Sequence, residues 1–328
     1  MASRSRRRRK SRRTGSTNKI KIKLAVVLTA VIGIFALLGG RSHFIKDAVP
    51  AYAQFYELAQ AKLEKRERVS QPSVDINELR DISTLRSRYY SVDKKTGMSE
   101  EMFNIDTLMS RDVHIDKSLI KPKVLIFHTH AHEMYADSGE DGGVVGAGEL
   151  LSQTLEKKYG VRCLHVTDSY DTVDGKLQIL GAYERMEPEI KKILEKNPSI
   201  ELVIDLHRDG VAENVRLVTD INGETCAKFM FFNGLCQKIS SDGVLRQTDG
   251  LENPYVEDNL ALSLRAQMCA NELYPGLTRK IYLNAYRYSL HLKPKSMLIE
   301  LGAQTNTEAE VAASVDKLAE ILYKTSFE

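Results

Sequence analysis

KVLIFHTHAHEMY, residues 123–135, runs four apolar residues, Val124, Leu125, Ile126 and Phe127, straight into three alternating histidines. His128, His130 and His132 are followed at once by Glu133. A continuous apolar run of four is too short for a buried helix and reads as a strand covered on both faces. The chain holds eight histidines in all, so three within five residues concentrate imidazole at the end of that strand.

Working outward from this stretch, apolar runs alternate with helix-like segments. VLIF is followed by GELLSQTLEKKYG, VRCLHV, AYERMEPEIKKILEKNP and IELVIDL, and later by SLRAQMCANELYPG and SMLIELG. Short strands separated by amphipathic helices predict an α/β domain, a largely parallel twisted sheet with flanking helices. One interruption is expected: VRLVTDINGETCAKFMFFNG carries Asn222-Gly223 between two alternating arms, the mark of a hairpin turn.

The charge is segregated along the chain. Residues 1–23 hold seven Arg, four Lys and no acid, whereas from residue 41 onward 36 basic residues face 44 acidic ones. A nucleic-acid protein wears its basic charge on the folded domain, and here the domain is acidic. After the basic run comes LAVVLTAVIGIFALLGG, residues 24–40, without a charge. That length is near the minimum for crossing a bilayer, and the flanking charge places the amino terminus inside. The small-x-small site Ala51-Tyr52-Ala53 lies more than ten residues past the apolar run, so an uncleaved anchor is expected rather than a signal peptide. The organisation read from the sequence is a cytoplasmic tail at 1–23, a transmembrane signal anchor at 24–40, a juxtamembrane helix and linker at 41–119, and a catalytic domain at 120–328 outside the cytoplasm. The later part of the linker, FNIDTLMS, is expected to pack on that domain. Cys163, Cys226, Cys236 and Cys269 show no zinc-type spacing and read as small buried hydrophobes.

Three strand ends carry polar groups: HTHAHE after VLIF, HRDG after ELVIDL, and Glu300 inside MLIELG. The carboxyl ends of parallel strands line the ligand crevice of open α/β sheets, so groups far apart in sequence can converge there. A His–x₂–Glu pair plus a distant His supplies two imidazoles and a carboxylate, a set suited to Zn²⁺ with one position left for water. A further carboxylate can move the proton of that water. Glu300, an acid between Ile299 and Leu301, is the candidate, because an acid in an apolar strand needs a partner or a task. Arg208 and Asp209 of HRD admit the plainer reading that they pair with each other. HExxH and GxSxG are both absent, which removes thermolysin-like and α/β-hydrolase chemistry.

The ordered series PKVLIFHTHAHEMY, GAGELL, IELVIDLHRDG, YPG and RYSLHLKPKSMLIELGAQTNT resembles the stage II sporulation protein P family. More distantly it is similar to zinc-dependent N-acetylmuramoyl-L-alanine amidases. The resemblance implies an amidase-like fold and a membrane-anchored, zinc-dependent peptidoglycan hydrolase, both amidase and cross-link endopeptidase, acting in engulfment during sporulation. It implies partners too, the stage II sporulation D (lytic transglycosylase) and M (membrane) proteins. Carried onto this sequence, it makes His130, Glu133 and His207 the zinc ligands and Glu300 the catalytic acid–base. Glu149, at a helix start, is the alternative carboxylate ligand, and His128 and His132 are expected to support the site or touch substrate. The chain departs from the family at Ser289-Leu290, where Asn-Gln is common. The competing reading is an inactive scaffold or wall-binding module with the same fold.

Overall fold

The computed structural model describes residues 75–139 and 142–328. The expected tail, the anchor at 24–40 and the juxtamembrane helix lie outside these residues. Among the described residues no helix is long and apolar enough to cross a membrane.

Seven strands form the central sheet: β1 (Tyr90–Val92), β2 (Val124–Phe127), β3 (Cys163–His165), β6 (Leu202–Asp209), β9 (Phe229–Gly234), β12 (Ile281–Asn284) and β13 (Lys295–Ala303). Their order across the sheet is β1-β12-β9-β13-β6-β2-β3. All neighbours run parallel except β13 and β9, which are antiparallel, so two parallel blocks meet at that seam. The largely parallel α/β expectation therefore holds. The remaining strands form small ribbons at the surface: β4 (Thr172–Val173) with β5 (Lys176–Leu177), β7 (Val218–Ile221) with β8 (Glu224–Ala227), and β10 (Gln237–Ile239) with β11 (Leu245–Gln247). The β7–β8 ribbon turns at Asn222-Gly223, both at positive φ (58° and 84°), as a two-residue hairpin requires.

The pleat distributes the apolar residues between two cores. Val124 and Ile126 of β2 and Leu202, Ile204 and Leu206 of β6 pack with Leu151 and Leu155 of α3 (Gly143–Tyr159) and Leu318 and Leu322 of α6 (Glu308–Ser326). Leu125, Phe127 and Val203 point the other way. They meet Met186, Ile190 and Leu194 of α4 (Ala182–Lys196), whose apolar residues recur every fourth position. Each such side chain withdrawn from water contributes about 1.5–3 kcal/mol. β2 and β6 are thus anchored on both faces, and their polar carboxyl ends are held in place by apolar stems.

The stretch expected to be linker is built into this unit from the first described residues. α1 (Ile82–Tyr89) feeds β1, which pairs with β12 as an edge strand, and α2 (Ile105–Ser110) buries Ile105 and Leu108. Among the described residues, 75–119 belong to the same compact unit as the rest of the domain. The signals were there, Leu79, Leu85, Tyr89 and Tyr90, but spread too thinly for a period to register. FNIDTLMS does pack as expected, and α2 lies against α5 (Val256–Leu273).

Candidate metal and catalytic site

β2, β6 and β13 are neighbours, and their carboxyl ends bring His130, His207 and Glu300 together. Glu300 of β13 is the register partner of His207 of β6. Two residues before His207 on the same face lies Asp205, 1 % exposed. It accepts from the Thr129 N–H (2.9 Å) and hydroxyl (2.7 Å), tying the turn after β2 to β6. His130 sits beyond that turn, its ring 5.4 Å from His207 and nearly perpendicular to it. Glu133 reaches back from the same turn, with Oε2 3.3 Å from His207 Nδ1 and accepting the Arg208 N–H at 3.0 Å. Arg208 also donates from Nε to the Met134 carbonyl at 2.7 Å, so the main chain beside Glu133 is clamped.

Carboxylates dominate the electrostatics of this cluster. Burial opposes charging His207, but Asp205 and Glu133 outweigh it and hold the imidazole well above its ordinary range. Burial and the charges of Glu133, Asp209 and Asp205 push Glu300 up to about 8, despite the opposing pull of His207. Glu300 Oε2 and His130 Nδ1 are buried without a hydrogen-bond partner. His207 Nε2 lies 2.8 Å from Asp205 Oδ1 without hydrogen-bond alignment. Orphaned polar atoms in a core are uncommon and call for a ligand or a function.

These residues fit zinc in kind. Two donors on one zinc at about 2.1 Å in a tetrahedron stand about 3.4 Å apart, and His207 Nδ1 and Glu133 Oε2 are separated by 3.3 Å. Asp205 lies 2.8 Å from the opposite ring nitrogen, the place from which a carboxylate would orient a ligating histidine. The third donor is not drawn in: among the described residues no group of three His, Cys, Asp or Glu side chains is arranged to hold a metal ion.

The other expected residues go elsewhere. Glu149 of α3 faces His165 of β3, with Oε2 3.0 Å from Nδ1. His165 Nε2 in turn meets Nε2 of His128 at 2.9 Å, and His128 donates from Nδ1 to the Leu206 carbonyl at 2.8 Å. A Cβ at Gly148 would come within 2.7 Å of both imidazoles, so only glycine lets α3 ride over this pair. His132 is tied to Asp171 (Nδ1 to Oδ1, 2.8 Å) and braces the loop. Arg208 and Asp209 do not pair through their side chains. Asp209 takes Arg279 as its partner. Ser289 is buried beside Asp205 and helps lower its pKa, against the desolvation that raises it. Leu290 fills an apolar cluster with Met230, Phe232 and Leu298. Sequence reading passed over Asp205, although an acid inside the apolar run LVIDL is the same signal that singled out Glu300. It also passed over Tyr183, edge-on to His130 at 5.7 Å, for which a tyrosine in a helix gives no signal.

The model of one protein family, described as Stage II sporulation protein P, matches residues 38–323. A curated relative, "Stage II sporulation protein P" of Bacillus subtilis (strain 168), is 23% identical over 218 residues, which cover 61% of this chain and 50% of the relative. The alignment thus spans half the length of that relative. Similar solved structures include the N-acetylmuramoyl-L-alanine amidase AmiC2 of Nostoc punctiforme, 15% identical with a TM-score of 0.35, covering 64% of this chain and 96% of that one. Another is the CwlD amidase from Clostridioides difficile in complex with the GerS lipoprotein, 16% identical with a TM-score of 0.36, covering 62% and 95%.

Proposed function

The chain belongs to the stage II sporulation protein P family, and from that membership we propose that it is a zinc-dependent peptidoglycan hydrolase of the sporulating cell. In this reading it cleaves the amide between muramic acid and the stem peptide and, at the same site, peptide cross-links. The segment at 24–40 holds it in the septal or engulfing membrane with the domain outside the cytoplasm, where the stage II sporulation D and M proteins are its partners. The observation that carries the proposal is the convergence of His130, Glu133, His207 and Glu300 at three adjacent strand ends, with two buried polar atoms left open.

His130, His207 and Glu133 would hold the zinc, which when bound supplies a Lewis acid for the amide carbonyl and for water. The protein's own groups supply the rest. Asp205, fixed by Thr129, sets the orientation of His207. Arg208 sets that of Glu133. Glu300, in an apolar strand, exchanges a proton at Oε2, taking it from the attacking water and delivering it to the departing amine nitrogen, so one carboxyl serves both steps. An amide nitrogen leaves only when protonated, and the proton Glu300 takes up in the first step is the one it delivers in the second. Tyr183 packs edge-on beside His130.

The test is to incubate the full-length chain in detergent with purified peptidoglycan, with and without a chelator, and to identify the fragments. Chelator-sensitive release of stem peptides is the expected result. Peptidoglycan bound but left intact by zinc-loaded protein would overturn the hydrolase reading in favour of a wall-binding scaffold.

A further inference from the structure

Beyond β12 the chain enters residues 285–292, AYRYSLHL, whose conformation is over-determined. Ala285, Ser289 and Leu290 are buried, and Asn259 of α5 donates from Nδ2 to the Leu290 carbonyl at 2.6 Å. A Cβ at Gly234, the last residue of β9, would lie 2.1 Å from the Tyr286 carbonyl oxygen, so the loop rests on a bare backbone. Tyr288 is held at φ 53°, in the left-handed region where a bulky side chain is an outlier. Strain of this kind persists only where the surroundings enforce it, and it gathers at binding sites.

What the loop displays is a row of rings leading away from the histidines. His207 and His130 stand at 5.4 Å, His130 and Tyr183 at 5.7 Å, Tyr183 and Tyr288 at 5.6 Å, and Tyr288 and Tyr286 at 6.2 Å. Every step is near-perpendicular, between 71° and 90°. The row starts at buried His207 and ends at Tyr286, 46% exposed. Alongside it opens a cleft of about 260 Å³ lined by Tyr183, Glu184, Glu187, Tyr286, Arg287 and Tyr288.

The charges in this cleft choose its occupant. Burial opposes ionising Glu187, but Lys191, His291 and Arg287 outweigh it and hold the carboxyl at about 2. The Arg287 guanidinium is engaged by Glu187 at 2.9 Å, and Lys95 Nζ lies 5.3 Å from the centre of the Tyr286 ring. The lining guanidinium is thus committed to Glu187, Lys191 is held on the same carboxylate at 2.6 Å, and an incoming carboxylate would meet Glu184. Tyrosine ring faces and the Glu184 carboxylate suit a neutral polyol, whose C–H face stacks on a ring while a hydroxyl or amide N–H donates to the acid.

We propose that the cleft between α4 and residues 285–292 is a saccharide subsite. It holds the neutral amino-sugar of the glycan strand next to the bond cut at the histidines, with Tyr286 as its outer stacking face. The assignment rests on the hydrolase reading above and names the side of the substrate that this cleft takes, glycan rather than the anionic stem peptide.

The probe is the tetramer of N-acetylglucosamine, titrated into the full-length zinc-loaded chain in detergent and read by tyrosine fluorescence, undisturbed because the sequence has no Trp. Binding needs no turnover, so this result is separate from hydrolysis. Tyr286→Ala, at a half-exposed position, is expected to weaken tetramer binding about tenfold, the loss of one stacking contact. Tyr286→Phe, which keeps the ring face, restores it. On peptidoglycan Tyr286→Ala raises KM more than it lowers kcat. If a stem tetrapeptide binds while the sugar tetramer does not, or if Tyr286→Ala binds the tetramer as the wild type does, the subsite assignment is overturned. Tyr286-dependent tetramer binding by a chain that cuts no peptidoglycan would keep the subsite and remove the hydrolase reading.

Discussion

Two clusters of two histidines and a glutamate flank the end of β2, and they differ in what their atoms lack. Toward α3, His128, His165 and Glu149 form a closed chain in which each ring nitrogen lies within hydrogen-bond distance of a partner. Toward α4, His130, His207 and Glu133 leave His130 Nδ1 without a partner and stand beside an unsatisfied Glu300. Composition does not distinguish the clusters. Closure does, because buried polar groups left open cost about 1–3 kcal/mol each and persist only where something else uses them. The open cluster also gathers Asp205 and Glu300, a surplus of buried acid that a cation would relieve.

The comparison breaks most sharply at the proposed ligands. His130→Ala and His207→Ala should each lose bound zinc, measured by metal analysis of the purified chain, and lose hydrolysis to background. His128→Ala should keep its zinc. Zinc lost from His128→Ala and retained by His130→Ala would exchange the roles of the two clusters.

Next in size is Glu300→Gln, nearly isosteric and unable to carry the proton. Turnover should fall about 10²- to 10⁴-fold with zinc retained. Loss of zinc would make Glu300 a ligand, and near-normal turnover would pass the proton transfer to another carboxylate.

Asp205→Asn keeps the volume and one acceptor for Thr129 but removes the charge behind His207. Zinc affinity or activity should drop about 10- to 100-fold. An unchanged affinity in a competition titration would mean that Asp205 serves only the β2–β6 tie.

The closed cluster should answer in stability alone. His165→Ala strands the buried His128 Nε2 and should cost about 1–3 kcal/mol in urea unfolding, with zinc content intact. Burial holds His128 at about 3, against an ordinary 6.5. Between those values the unfolded chain takes a proton that folded His128 refuses. Its contribution to stability is therefore full above pH 6.5 and is lost as pH falls toward 3, by about 1.4 kcal/mol per pH unit. His128→Asn should flatten that slope, and a slope left unchanged would put the acid sensitivity on other groups.

Much of this was legible without coordinates. VLIF, IELVIDL and SMLIELG announce strands because buried strands must be apolar on both faces, and the polar groups at their ends follow from the same run of letters. Asn222-Gly223 announces its turn because few other pairs accept positive φ twice. The edge strand β1 was not legible. Three residues, Tyr90 to Val92, carry no period, and their place depends on β12, far along the chain.

By itself the sequence determined the strands, the helices between them, the segregated charge and a short list of histidines and acids. All of these are written in local spacing, and local spacing controls the backbone. Only the tertiary structure decided which imidazole belongs with which carboxylate. As letters, Glu133 is the preferred candidate and Glu149 the alternative. The turn pinned by Thr129 on Asp205 swings Glu133 to His207, while α3 lays Glu149 against His165 on the other side of β2. Such pairings are set by the packing of helices on a sheet, where a side chain's neighbours come from strands and helices far apart in sequence.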